Sequence, residues 1–494
     1  MEKITEFLKE AIYPYNNYLL LLVLPFLYFI FKSPKHLPPG PIPWPIIGNI
    51  FSLGTKPHVS LAQISASYGP LISLRLGTKL LVVGSSQDAA IEILKTHDKV
   101  LSARSVPQAV PVYPDRLDIS VGWSDCNDKW KALRTLIKTE LFSPRMVEAQ
   151  ATIREKKVSE MIEFLRTNEG EMVSIGDLVS KVVFNMLGNI FVSKDLMNLY
   201  EDSKVGLKGY VRKFVDVLST PNLADFYKVF SGLDLQGLNK KNNEIYIKAC
   251  GFWETAVKDR KENKSSDGSR HRDFVDGLLE RGFDNEQINY LFVDLLFAGA
   301  DTTASTVEWA LAELIKSPES MEKVRFELER EVKGDFVRES DLSSLPYIHC
   351  VLKETLRLHP PAPLLIPHRA AETCKVMNYT IPKDTQIFVN VWAIGRDPKC
   401  WDDPMTFKPE RFLETSLELN TNDFKFLPFG SGRRICPGLP MADKQVPLIL
   451  SSLLYSFDWS LPYDMQPNEL DMEEKFGLTL QKEVALALMP KFKK

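Results

Sequence analysis

No two of the six cysteines, at 126, 250, 350, 374, 400 and 436, lie close together, and no Cys-x-x-Cys occurs. Neither a disulfide framework nor a zinc site is indicated, and the usage fits a reducing compartment. Gly-x-Gly-x-x-Gly and FMN-binding patterns are also missing, so the chain has no sign of binding its own reductant. Internal repeats are absent. A net charge of only -3 offers no field for nucleic acid or a polyanionic substrate. What is present is 494 residues, 44% of them hydrophobic, enough to bury a large core, and length alone suggests two to three domains.

The most informative stretch is Phe429-Gly430-Ser431-Gly432-Arg433-Arg434-Ile435-Cys436-Pro437-Gly438. A thiolate, not a thiol, ligates a metal, and nearby positive charge with unpaired backbone N–H groups lowers the proton affinity of sulfur. Arg433 and Arg434 are expected to supply the charge. Gly438 is expected to let the chain approach the sulfur or open the helical stretch 439–455, whose positive end would face the anion. Phe429 offers an aromatic shield for the sulfur. Taken alone, a Gly-x-Gly beside a cysteine also fits a turn with a buried free thiol.

Residues 11–31 lack formal charge and suffice to cross a bilayer, while Lys32 and Lys35 follow at once. The positive-inside rule then puts the bulk of the chain in the cytosol. No small-x-small cleavage site follows Phe31, which favours an uncleaved anchor over a signal peptide. The stretch Leu37-Pro38-Pro39-Gly40-Pro41-Ile42-Pro43-Trp44-Pro45 reads as a stiff hinge. Strand-like alternation over 70–95 predicts a hairpin around Gly77-Thr78, and a second strand-like patch covers 379–391. Residues 145–335 read as helical, with a charged solvent loop at 261–270.

Within a helical run at 291–314, Ala298-Gly299-Ala300-Asp301-Thr302-Thr303 places small residues before an acid and an alcohol. Gly299 costs roughly 1 kcal/mol in a helix, which a groove over a flat cofactor would offset. Asp301 and Thr302 are candidates for proton relay to bound oxygen; tight helix packing with an exposed acid is the plainer alternative. Glu354 and Arg357 lie one helical turn apart and can pair. Trp130 and Arg134 stand at i and i+4.

These motifs together resemble the cytochrome P-450 superfamily, whose cysteine signature Phe-x-x-Gly-x-Arg-x-Cys-x-Gly is met by Phe429, Gly432, Arg434, Cys436 and Gly438. The resemblance covers roughly residues 35–494. It implies a mostly α (α+β) fold with long helices and small segregated sheets, preceded by one transmembrane helix. Its divisions are an anchor at 1–32, a hinge at 33–45 and one large catalytic domain at 46–494. It implies haem b on Cys436, a thiolate that pushes electron density toward iron, with Trp130, Arg134, His368 and Arg434 as candidate partners of the propionates. Glu354, Arg357 and Arg411 of Pro409-Glu410-Arg411-Phe412 would form a buried network that holds the cysteine loop.

Implied partners are dioxygen, a hydrophobic substrate and a membrane-bound NADPH-dependent reductase docking near Arg433 and Lys425, at the endoplasmic reticulum. Segments 102–122, 211–223, 291–302, 362–366 and 476–479 would line the pocket, with Tyr113, Phe297 and Phe476 as aromatic contacts. Asp294 is open to an ion pair with a protonated amine or to a solvent-facing or capping role; Arg104 and Asp115 are equally ambiguous. Trp123-Ser124-Asp125, Glu286-Gln287-Ile288-Asn289 and the run from Thr373 to Lys383 resemble a plant alkaloid-metabolism group that includes berbamunine synthase, methylcoclaurine hydroxylase and littorine mutase. That leaves three activities open: hydroxylation, which the Asp301-Thr302 pair favours; coupling or rearrangement without oxygen insertion; and non-catalytic haem sensing.

Overall fold

The computed structural model describes residues 36–110, 119–201, 206–262, 272–415, 417–419 and 423–493. The expected anchor, most of the charged loop, Tyr113 and Asp115 lie outside the described residues.

Among the described residues, the long helices are α1 (Pro57–Tyr68), α2 (Asp128–Ile137), α3 (Ala151–Thr167), α4 (Ile175–Val192), α5 (Leu207–Ser219), α6 (Leu238–Glu262), α7 (Asn285–Lys316), α8 (Pro318–Glu331), α9 (Pro346–Leu358) and α10 (Leu439–Ser456). The largest sheet has strands β1 (Leu71–Leu76), β2 (Lys79–Gly84), β3 (Ala103–Arg104), β4 (His368–Arg369) and β5 (Gln386–Val389), in the order β1-β2-β5-β4-β3. Within it, the β2–β5 pair is parallel and the others are antiparallel. Small sheets set apart from long helices make this an α+β fold, as the sequence implied.

The β1–β2 hairpin turns where Gly77 adopts φ +61°, a conformation that costs other residues more. Helix α7 begins earlier than its apolar periodicity suggests. A capping box explains this: Asp284 Oδ1 accepts from Gln287 N at 2.8 Å, and Gln287 Oε1 accepts from Asp284 N at 3.0 Å. The helix ends at Lys316, just before Pro318 opens α8. The patch at 379–391 is less extended than its alternation implied. Tyr379–Ile381 and β5 are strands, but Asn390 Oδ1 accepts from Ala393 N at 3.1 Å and starts a short helix at Val391–Ile394. Likewise Val173–Ser174 interrupts the helical region by pairing with Ala487–Phe492 near the C-terminus.

The core joins α4, α6, α7 and α10, where Phe184, Trp253, Leu296 and Leu450 are fully enclosed. Helix α4 is long and apolar enough to cross a membrane, yet most of it is buried inside the protein, so it is a core helix. The described part of the Pro-rich stretch does not stand free. Pro39 O accepts from Ser73 N at 2.9 Å and Pro38 O from Ser73 Oγ at 2.6 Å, which lays it along β1.

Candidate active site

The cysteine loop is built around a tight turn, Gly432–Arg434, that feeds into α10. Gly432 takes φ +69°, and a Cβ there would sit 2.4 Å from Leu94 O, so no other residue fits without displacing the loop. Cys436 N donates to Phe429 O at 3.0 Å, which closes the loop. Burial pushes the Cys436 thiol up, against the backbone N–H of Gly438, the Arg134 guanidinium and the N–H of Leu439. The cation acting on the sulfur is therefore Arg134, not Arg433 and Arg434 as the sequence suggested. Arg433 pairs instead with Asp98, with Nε 3.0 Å from Oδ2. Gly438 does open α10, but at an ordinary φ of -81°, and a Cβ there would make only van der Waals contact with Cys436 Sγ at 3.8 Å.

Beside the loop, two guanidinium groups lie over the Trp130 ring: Arg434 is 4.5 Å and Arg134 5.5 Å from its centroid. The indole N–H is already donated to Val121 O at 3.1 Å, so the ring positions cations rather than contacting a carboxylate itself. Arg134 Nη2 donates to Ile435 O at 2.8 Å, and Arg434 donates through Nε to Ser102 O at 2.8 Å and through Nη2 to Ser124 O. Among the described residues, Arg434 Nη1 is buried with no partner. Arg104, left ambiguous by the sequence, joins this group: it is buried, donates through Nε to Gly122 O at 2.8 Å and through Nη1 to Ile366 O at 2.7 Å, and lines the cavity. His368 differs from expectation. Burial, aided by Arg104, holds its pKa well below the usual value, and Nδ1 donates to Leu101 O at 2.9 Å. The neutral ring then offers Nε2 as an acceptor, not a cation.

A cavity of about 330 Å³ runs from Cys436 and Phe429 past these cations to α7. Thr302 lines it, and Thr302 Oγ1 donates to Ala298 O at 2.7 Å within an unbroken helix. Ala298 forms the exposed small face of the groove. Gly299 serves a different purpose, since a Cβ there would lie 3.0 Å from Leu187 Cδ1 of α4; it permits helix packing. Asp301 is not part of the cavity wall. Burial raises its pKa to about 6, opposed by Lys208 and Arg212 of α5 and reinforced by Asp216 and Asp177. The structure thus separates the acid from the alcohol, with Thr302 on the cavity and Asp301 near the α4–α5 charges.

Phe297 lines the cavity and meets Phe214 of α5 edge-on, 4.9 Å between centroids. Ala362, Leu365, Ile366, Leu478 and Thr479 complete the apolar wall. Phe476 does not reach it; the ring stacks on His58 at 5.5 Å. Asp294 also lines the cavity, but its Oδ2 accepts from Ser120 Oγ at 2.7 Å and Val121 N at 2.9 Å, so it pins the loop at 120–122.

Glu354, Arg357 and Arg411 do meet. Arg357 Nε and Nη2 grip Glu354 at 2.7 and 2.8 Å, and Arg411 Nε reaches Glu354 Oε1 at 3.0 Å. The Arg357 guanidinium lies 5.4 Å from the Trp401 ring centroid, and Trp401, Phe426 and Leu356 belong to the apolar cluster on which Phe429 packs. Charge network and cysteine loop are thereby joined through aromatic side chains.

A half-buried thiol on the cavity wall, a guanidinium N–H without an acceptor among the described residues and a groove floored by a small residue fit a flat cofactor bearing carboxylates, held through sulfur. That arrangement, on this fold, belongs to the haem-thiolate oxygenases. Residues 38–487 match the family model described as Cytochrome P450, and the chain belongs to that family. It is a monooxygenase, and the family's cofactor is haem b. Among its relatives, a probable (S)-N-methylcoclaurine 3'-hydroxylase isozyme 2 of Coptis japonica is 50% identical over 470 residues, 94% of this chain and 96% of that protein. Corytuberine synthase of Coptis japonica is 45% identical over 96% of this chain and 98% of its own length. Geraniol 8-hydroxylase of Catharanthus roseus is 41% identical, covering 94% and 95%.

Proposed function

We propose that this enzyme hydroxylates a hydrophobic plant amine of the N-methylcoclaurine kind, an aromatic alkaloid, with Cys436 as the iron ligand. When bound, haem supplies the activation of dioxygen by which one oxygen atom enters a C–H bond of the substrate. Cys436 holds the iron through its thiolate, which Arg134 and the N–H groups of Gly438 and Leu439 stabilise. Phe429 and Gly438 border the sulfur. Arg434, Arg134 and Arg104 take the carboxylates, the unpartnered Nη1 of Arg434 gaining an acceptor. Trp130 fixes those cations, and His368 fixes the wall through Leu101.

Thr302 commits its proton to Ala298 O, so its oxygen lone pairs are left to accept a hydrogen bond within the cavity. Asp301, with a pKa about 6, exchanges protons near neutral pH and is the proton reservoir on the α5 side, outside the cavity wall that Thr302 lines. Phe297, Phe214 and Leu478 exclude water and hold the substrate's apolar body. The observation carrying the reading is the half-buried Cys436 facing a cavity that Thr302 also lines. The test is turnover with a reductase, (S)-N-methylcoclaurine and isotopically labelled dioxygen. Product carrying the label supports hydroxylation; an unlabelled, coupled product supports the second reading, coupling without oxygen insertion.

The same reading includes a single-pass anchor at 1–32, a Pro-rich hinge at 33–45 and a catalytic domain at 46–494 on the cytosolic face of the endoplasmic reticulum. Support comes from exposed apolar side chains in and around the hinge: Ile42 is 90%, Phe51 81% and Val229 77% exposed. The β1–β2 turn ties these segments together, since Gly77 N donates to Ile47 O and Thr78 N to Phe226 O. A membrane-bound NADPH-dependent reductase supplies electrons. Lys425 and Arg433 remain candidates for docking it, each with an acidic neighbour, Asp423 and Asp98.

A further inference from the structure

We infer that the buried carboxylate of Glu474 sets the width of the substrate cavity from outside it, by fixing the turn 476–480 that forms part of its wall. This rests on the oxygenase reading above. Glu474 begins a two-stranded hairpin, Glu474–Lys475 with Gln481–Lys482, whose turn carries Leu478 and Thr479 into the cavity wall. Four side chains distant in sequence converge on that carboxylate. His58 of α1 reaches Oε2 at 2.9 Å, and His359, just past α9, reaches Oε1 at 3.2 Å. Trp392 Nε1 donates to both oxygens at 3.0 and 3.2 Å, and Arg396 Nη2 lies 3.5 Å away.

Burial alone would favour the neutral acid, but the hydrogen bonds from His359 and His58 and the charge of Arg396 hold the Glu474 carboxyl far below the usual range. His359 extends the hub to α7: its Nε2 lies 2.7 Å from Glu313 Oε1, and its ring stacks on Trp309 with centroids 3.8 Å apart. Phe476 in turn stacks on His58. The turn itself is tethered through its backbone. Leu480 N donates to Pro361 O at 2.8 Å, Leu480 O accepts from Ser305 Oγ at 2.6 Å, and Leu478 N donates to Ser219 Oγ at 3.0 Å. These tethers hold the tip of the turn and Glu474 holds its base, so a shift at Glu474 is expected to strain the tethers and loosen Leu478 and Thr479 against α7 and α5. Glu474 touches neither cofactor nor substrate; it is a positioning residue.

The probes are imidazole, small enough to ignore the wall, and 1-benzylimidazole, whose benzyl arm extends toward it; both report by the Soret shift on binding the holoenzyme. Glu474→Gln keeps the shape but loses acceptor capacity, and Trp392→Phe removes one donor while keeping a ring under Arg396. We expect 1-benzylimidazole affinity to fall about tenfold in the first and about threefold in the second, with imidazole unchanged. Backbone amides of 478 and 480 should exchange hydrogen faster in both variants, in the apoprotein as well. Wild-type affinity for both probes in the folded variants, with unchanged exchange, overturns the inference. If Glu474→Gln fails to retain haem, Trp392→Phe decides alone. A wild-type protein that shifts with neither probe defeats the oxygenase reading instead.

Discussion

Arg434 lies over the face of Trp130, its guanidinium carbon 4.5 Å from the ring centroid, with one nitrogen buried and unpaired. Leaving a buried donor unsatisfied costs about 1 to 3 kcal/mol, more for a charged group. The protein retains that cost where a carboxylate-bearing cofactor would remove it. Arg434→Leu removes that unpaired donor together with the donors to Ser102 O and Ser124 O, so the opposed effects should leave apoprotein stability within about 1 to 2 kcal/mol of wild type, while haem leaves the holoprotein at least about tenfold faster. Calorimetry of the apoprotein and transfer of hemin to apomyoglobin measure the two effects separately. Equal haem loss from both proteins would remove Arg434 from the carboxylate site.

The Glu354 network predicts a different pattern, because its charges have no spare capacity. Glu354 and Arg357 are almost wholly buried. Glu354→Gln leaves the guanidinium groups of Arg357 and Arg411 partly uncompensated, which typically costs about 3 to 5 kcal/mol. Both apoprotein stability and haem content should fall, and the substrate affinity of whatever holoprotein survives should be unchanged. Denaturant unfolding and the spectrum of the reduced carbonyl adduct check this. Loss of substrate selectivity with normal haem content would contradict a purely structural role.

Asp301 ties stability to pH. Its folded-state pKa of about 6 lies above the ordinary 3.8, so between these values the folded protein binds more protons than the unfolded chain. Stability contributed by that proton is complete below about pH 4 and lost as pH rises through about 6. Asp301→Asn should remove this slope. At about pH 7 to 8 it should be more stable than wild type, by at most about 3 kcal/mol, and less where lost attraction to Lys208 and Arg212 offsets the gain. The same variant should divert electrons to peroxide, as should Thr302→Ala, which leaves the slope intact. Urea unfolding at several pH values, with peroxide assays, separates them. A steeper slope in Asp301→Asn would show the sign to be wrong.

Much of this was legible in the chain because local rules and the tertiary arrangement agree. The hairpin at Gly77, the start of α10 at Gly438 and the Glu354–Arg357 pair all follow from turn chemistry or helical spacing. The orientation of Asp301 was only partly legible: it lies about 100° around the helix from Thr302 but, at i+3, only about 60° from Ala298, so spacing alone does not place it off the cavity. Other roles depend on partners distant in sequence. Nothing near His368 says that Leu101 O will hold its ring, nothing near Trp130 says that Val121 O will take its N–H, and Phe476 gives no sign that it rests on His58. Arg134 displaced Arg433 as the cation beside Cys436 for the same reason: Asp98 claims Arg433 across the fold.

Gly432 and Gly438, equal members of the signature, should behave unequally. At Gly432 a Cβ would face both a φ of +69° and a carbonyl oxygen 2.4 Å away, so the loop must move even before a cofactor is considered. Gly432→Ala should destabilise the apoprotein by about 2 kcal/mol or more. At Gly438 the φ is ordinary and the nearest atoms, Cys436 Sγ and Phe142 Cζ, stand at 3.8 and 3.9 Å. Gly438→Ala should leave apoprotein melting unchanged or slightly raised. Should it nonetheless lower haem content, the glycine is kept for the cofactor's approach to the sulfur and not for the fold. Melting of both apoproteins, followed by hemin titration, gives the comparison, and a large apoprotein loss in Gly438→Ala would disprove this division of roles.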